Sequence, residues 1–208
     1  MSTQQTNQTV VPPEPVASAP GPVPFGDPAG LGLAAFALTT FVLSAANAEW
    51  IPASVTGVVF GLALFYGGAV QVVAGIWEFA NHNTFGAVAF CSYGGFWMSF
   101  WYLNTATKLP AADASKGVGI YLIAWGIFTL YMTIAAFRTN LIVFLVFVCL
   151  TLTYFALAIG ELAGVSGMGI LGGYLGVLTA LLAWYGSFAT VTNFTYKRTV
   201  LPIVPLAR

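Results

Sequence analysis

The chain has 208 residues, 59% of them hydrophobic and only 6% charged, with six basic and six acidic side chains and a formal net charge of zero. Soluble domains carry roughly 25% charged residues, so no water-facing surface can be built from this composition and the sequence is that of an integral membrane protein. Sparse, scattered Lys and Arg exclude a nucleic-acid face, while a single His and two Cys, Cys91 and Cys149, both inside apolar runs, exclude a disulfide framework and leave no metal or cofactor set.

In chain order, residues 1–26 come first. They are Thr, Gln, Asn, Pro, Ala and Val with few charges, and prolines at 12, 13, 15, 20, 22 and 24 forbid a helix there. A Pro-rich, disordered N-terminal tail is predicted, with no basic stretch leading into an apolar one and hence no cleaved signal peptide. Asp27 and Pro28 then stand directly before an apolar run. Asp suits an N-cap and complements the helix dipole, and Pro suits the first helical position after it.

Six apolar segments follow, at about 29–48, 53–79, 84–103, 117–137, 140–162 and 169–194. A helix needs about 20 apolar residues to cross the hydrocarbon core. The predicted architecture is therefore an all-α bundle of six transmembrane helices over 27–198, with a short C-terminal tail at 199–208. The most polar connection is NTATKLPAADASKG at 104–117. An even number of spans puts both termini on one side. Arg138, Lys197, Arg198 and Arg208 fall on that side and Lys108 and Lys116 on the other, which favours cytoplasmic termini in a plasma (inner) membrane. YGGF at 93–96 recurs as YGSF at 185–188, an offset that also sets Phe36 over Phe128 and admits a 3+3 inverted repeat.

No acidic or basic residue is deep in a span. Asp27, Glu49, Glu78, Asp113 and Glu161 lie at loops or span ends, and Glu14 lies in the tail. Intramembrane charges mark ion sites and proton relays, so a central carboxylate relay is disfavoured. A path lined by hydroxyl, amide and aromatic groups is favoured, suited to a small neutral solute or to a small anion that is hydrogen-bonded or protonated in transit. The candidate lining groups are Thr39 and Thr40 in the first span, Gln71 in the second, Ser92 and Tyr93 in CSYGGFW of the third, and Thr151 and Thr153 in the fifth. Each has an alternative role. A membrane Thr or Ser can bond back to its own helix, Gln71 can tie two helices together, and Tyr93 can be packing. Gly57 and Gly61, Gly169 and Gly173, and Gly172 and Gly176 have the spacing of close helix contacts. Glu78 and His82 read as exposed residues at a span end rather than as a pH-sensitive pair.

Several stretches resemble one known family. DPAGLGLAAFALTT at 27–40 is similar to the NPAPLGL signature of the acetate uptake transporter family, also called the YaaH or succinate–acetate permease family. FYGGAVQVVAGIWEF at 65–79 and NTFGAVAFCSYGGFW at 83–97 look like its second and third helices, and RTVLPI at 198–203 like its C-terminal end. The resemblance implies a six-helix protomer in a homohexamer, with one pore per protomer and no enzymatic activity. It implies transport of acetate, and of succinate and other short carboxylates, that is proton-linked or channel-like. It also implies a pore constriction of Phe36, Tyr93 and Leu150. Asp27 and Gly30 depart from the signature's Asn and second Pro. An ionised Asp accepts but cannot donate, which argues against a direct substrate contact there. The competing expectations are a channel for neutral solutes such as urea or short amides, and a non-transporting membrane scaffold or sensor.

Overall fold

The computed structural model describes residues 25–206. The predicted tail thus lies almost wholly outside the described residues. Six helical rods follow one another: α1 (Ala29–Asn47), α2 (Val58–Ala80), α3 (Thr84–Thr105), α4 (Ala114–Ala136), α5 (Leu141–Ala163) and α6 (Ser166–Tyr196). Five of them are long and apolar enough to cross a membrane. The remaining one, α3, has 22 uncharged residues. Ser, Tyr, Trp and Gly lower its hydropathy without shortening it, so it spans as well. α6, with 31 residues, reaches about 46 Å at 1.5 Å per residue, well beyond the hydrocarbon core.

Local chemistry sets the helix ends. Pro28 is already helical (φ −74°, ψ −12°), and the Asp27 carboxylate accepts from the Ala29 N–H at 2.9 Å. Regular helix begins at Ala29, and Pro28 rather than Asp27 stands at the cap position, one residue later than the sequence suggests. Asn83 accepts from the Gly86 N–H and so starts α3, and Asn140 does the same for α5 with Val143. Gly164 ends α5 in the left-handed conformation at φ 64°.

The helices close into a ring. α1 lies between α6 and α2, α6 packs on α5, α5 on α4, and α2 on α3, while α3 and α4 meet mainly through side chains. The α1–α6 approach uses the small residues of α6: a Cβ on Gly173 would strike the backbone of Ala48, and one on Gly176 the Ser44 hydroxyl. Gly172 faces Leu157 on α5. Gly57 and Gly61 behave differently: among the described residues a Cβ on the first would meet only the Phe60 ring and one on the second nothing within 4 Å. Gly169 would also take a Cβ freely, but its backbone is what a Cβ on Gly160 of α5 would meet at 3.0 Å.

α2 is not a uniform helix. Phe65–Val70 forms a π turn, which widens the backbone where Gly67 meets Thr39 of α1 and Gly68 meets Met98 of α3. Past α6 the chain turns back. The Asn193 amide holds the backbone of Val200 and Leu201, the Tyr185 hydroxyl donates to the Pro202 carbonyl, and residues 204–206 bond to the α4–α5 turn at Thr139 and Leu141. The echo of Tyr93 at Tyr185 thus has a different role from Tyr93 itself.

Candidate functional site: a blind cavity ending on an aromatic closure

A cavity of about 480 Å³ enters the bundle from the side of the 106–113 loop, opposite the termini. α1 contributes Phe36, Thr40, Ser44 and Asn47, which follow one another at helical spacing on one face. α5 contributes a second stripe, Leu150, Thr153, Tyr154, Leu157 and Glu161, and α3 and α4 complete the wall with Phe96, Trp97, Phe100, Tyr121 and Leu122. The lining is mostly apolar with a few polar groups, the usual character of a small-molecule site. Among the described residues no basic side chain lines it, and the one charged lining residue is Glu161, exposed at the rim.

Phe36 and Leu150 form the deep end and Tyr93 lies behind them. All three are buried, and all belong to one apolar cluster with Phe96, Phe147 and Tyr154. The Tyr93 ring is the hub, 5.6 Å from Phe36, 5.5 Å from Phe128 and 5.9 Å from Phe147, which in turn packs on Phe85 at 5.3 Å. Its hydroxyl shares a 3.0 Å hydrogen bond with Thr129 of α4. That bond fixes the ring from across the bundle. Aromatic rings in tilted and edge-on contact therefore fill the space behind Phe36 and Leu150, and the cavity ends blind against them.

Two buried polar atoms in the cavity wall have no hydrogen-bond partner: the Thr40 hydroxyl and the Trp97 indole N–H. Buried polar atoms are normally paired, and an indole N–H can only donate. Two residues of the lining thus each hold a polar atom, a donor in one and a hydroxyl in the other, that is buried in the wall without a partner among the described residues.

The other expected path residues separate into groups. Thr39 returns its hydroxyl to the Ala35 carbonyl at 2.9 Å and faces Gly67, away from the cavity. Thr151 bonds to the Phe147 carbonyl and to Thr133, joining α5 to α4. Thr153 lines the cavity but is bonded to the Cys149 carbonyl. Ser92 lies in a separate groove between α3 and α4, with Gly95, Ser99 and Trp125. Gln71 is fully buried just past the π turn, with neither amide atom paired, and does not line the cavity.

Glu78 corrects the expectation of an exposed residue: its side chain is 2% exposed, and its partner is Asn83 at 2.8 Å, not the exposed His82. Sequence reasoning also missed Trp97, Ser44, Asn47 and Tyr154. The available signal was periodicity, since Trp97 stands four residues after Tyr93, and Ser44 and Asn47 continue the stripe that begins at Phe36.

Known proteins share this architecture. A protein of Saccharomyces cerevisiae, Accumulation of dyads protein 2, is 48% identical over 183 residues, covering 84% of this chain. The chain spans only 65% of that relative's length. The Succinate-acetate/proton symporter SatP of Escherichia coli is 36% identical over 185 residues, which cover 88% of this chain and 97% of SatP. A solved structure, described as that of the bacterial acetate channel SatP, superposes with a TM-score of 0.80 at 34% identity, covering 86% of this chain and 99% of the other. The profile of one family matches residues 10–208, nearly the full length, and with that match this multi-pass membrane protein belongs to the GPR1/FUN34/yaaH family.

Proposed function

We propose that the chain carries acetate and related short carboxylates, succinate among them, across the membrane, with Phe36, Tyr93 and Leu150 as the constriction. The observation that carries this reading is the pair of unpartnered groups, Thr40 hydroxyl and Trp97 N–H, in the wall of a cavity that ends on Phe36 and Leu150. A donor-only group calls for an acceptor. A carboxylate oxygen is one, and the apolar ring beyond it suits a methyl group. The names of the relatives, an acetate channel and a succinate–acetate/proton symporter, support the same substrate class.

The lining holds no fixed positive charge, so the anion alone gains no counter-charge on its way inward. Passage is easiest for the protonated acid or an acid–proton pair, which makes transport proton-linked. The Lys and Arg bias favours termini in the cytoplasm of a plasma membrane, an orientation in which the cavity opens outward. The exposed apolar faces of the helices, with Ile134 and Phe65 among the most exposed, are covered by lipid and by neighbouring protomers of a homohexamer.

Labelled-acetate uptake into proteoliposomes, with and without an inward proton gradient and with unlabelled succinate or urea as competitor, tests the reading. Saturable uptake, stimulated by the gradient and inhibited by succinate, is expected. Inhibition by urea without inhibition by succinate would assign the cavity to neutral solutes instead.

A further inference from the structure

At the closed end of the bundle the Glu78 carboxyl is buried where three elements meet: the start of α1, the end of α2 and the start of α3. One oxygen, Oε2, accepts from the Asn83 amide at 2.8 Å. The other, Oε1, is buried with no partner. The carboxyl lies flat on α3, where a Cβ on Gly86 would stand 2.7 Å from its Cδ and 2.9 Å from Oε1. Asn83 is committed on both sides, since its oxygen caps α3 through the Gly86 N–H. The corner is tied to α1 by the Asn81 amide on the Gly26 carbonyl and by the Phe25 ring against Trp77.

The charged and titratable groups around this carboxyl offer it no cation. Asp27, before α1, acts on it as a second negative charge and already caps the Ala29 N–H. His82, in the α2–α3 turn, is exposed, and α3 brings no charged residue. Among the described residues the one ion pair is Lys116–Asp113, far from this end, and Lys197 is drawn over the Phe194 ring instead. Burying an ionised carboxylate with one oxygen unpaired and no counter-charge is costly. The remaining acidic side chains of the described residues, Asp27, Glu49, Asp113 and Glu161, are all exposed.

We propose that Glu78 is a proton-binding site, taking a proton from water at the terminus side onto Oε1, and that its protonation latches the α2–α3 corner. The packed corner described here is the protonated form. Losing the proton leaves a carboxylate that must reach water, which parts the end of α2 from Gly86. Gly86 and Tyr93 are seven residues apart on α3 and so share a face. Movement at the corner therefore bears on the ring that closes the path. The proposal rests on the carboxylate-transport reading and adds to it which side chain senses the proton and on which side.

Two measurements test it. The first is the ratio of labelled-acetate uptake with and without an inward proton gradient, which does not depend on how much of a variant folds. It should be severalfold in the wild type, fall to about one in Glu78→Gln, and survive in Glu78→Asp with its pH profile displaced. An unchanged ratio in Glu78→Gln would overturn the proposal. The second is the infrared C=O stretch of a protonated, solvent-shielded carboxyl, recorded across a pH titration with no substrate present. A band present in the wild type and missing in Glu78→Gln is expected, and its absence from the wild type would overturn the site. A wild type that has this band but takes up no acetate would refute the transport reading and leave the proton site standing.

Discussion

On the side of the 106–113 loop the bundle is hollow and two lining residues hold an unpaired polar atom, whereas toward the termini it is filled with rings around Tyr93, whose hydroxyl is tied to Thr129, and the carboxyl oxygen left unpaired there is that of Glu78. Thr40 and Trp97 belong to the first half, and Tyr93, held by Thr129, belongs to the second. Unpaired groups cost stability unless something fills them in use. Filled, paired groups hold a wall in place. On the proposed reading the first half is a binding vestibule and the second a closure, and each should fail in its own way when its side chains are changed.

The largest effect is expected at the closure. Tyr93→Ala removes the hub of four ring contacts and leaves a void, which costs about 3–5 kcal/mol for a large core aromatic. Melting in detergent should fall accordingly. If the ring also blocks the path, as proposed, succinate uptake should rise severalfold relative to acetate uptake. An unchanged ratio with reduced stability would make Tyr93 packing alone, and the closure would have to lie elsewhere.

Next comes the vestibule. Trp97→Phe keeps an aromatic ring against Phe96 and Phe100 but removes the N–H together with part of the indole's bulk. Hydrogen bonds to charged groups are worth about 1.5–3 kcal/mol, so the half-saturation concentration for acetate should rise about tenfold or more. Stability should fall modestly through the void left by the smaller ring, while the lost N–H itself has no partner to lose. A loss of stability with unchanged uptake would move Trp97 from the vestibule to the wall.

A smaller effect tests the anchoring of the closure. Tyr93→Phe breaks the bond to Thr129, a loss of about 1 kcal/mol, but Thr129 keeps its bond to the Trp125 carbonyl at 2.7 Å. Stability should drop slightly and the exclusion of succinate should persist. A large rise in succinate uptake would show that the hydroxyl bond, rather than ring packing, holds the path shut.

The sequence made the six spans and the start of α1 readable because apolar length and the Asp27–Pro28 pair are local signals. The aromatic closure entered only through the family resemblance, for nothing local distinguishes Phe36 or Leu150 from other apolar residues in their helices. Which face of each helix turns inward depends on its neighbours. Gln71, Ser92 and Thr151 are polar residues in spans, as expected of lining groups, yet none of them lines the cavity. Gly57 and Gly61 carry the spacing of a close contact, and a Cβ on either would meet no other helix among the described residues, whereas Gly172, Gly173 and Gly176, members of pairs with the same spacing, form tight ones. Glu78 is the sharpest case. At two residues from the end of α2 a carboxylate reads equally well as exposed or buried, and only the return of Asn83 and Gly86 over it decides. The π turn had the Gly67–Gly68 pair as its local mark, but that pair is also compatible with an ordinary close approach.

The finest test of the contrast lies in two adjacent residues, Thr39 and Thr40. They differ by about 100° around α1, the rotation per residue of a 3.6-residue turn, and that angle puts one against Gly67 and the other into the cavity. In Thr40→Val an unpaired buried hydroxyl is replaced by a methyl group, so stability should hold or rise by up to about 1 kcal/mol while acetate uptake falls severalfold. In Thr39→Val the loss is a bond to the helix's own Ala35 carbonyl, which still accepts from the backbone. Stability should change by less than about 1 kcal/mol and uptake should stay at the wild-type rate. Equal losses of uptake in both variants would mean that the path runs between α1 and α2 as well as along the cavity. Gln71, buried and unpaired beside the π turn, would then become a lining residue.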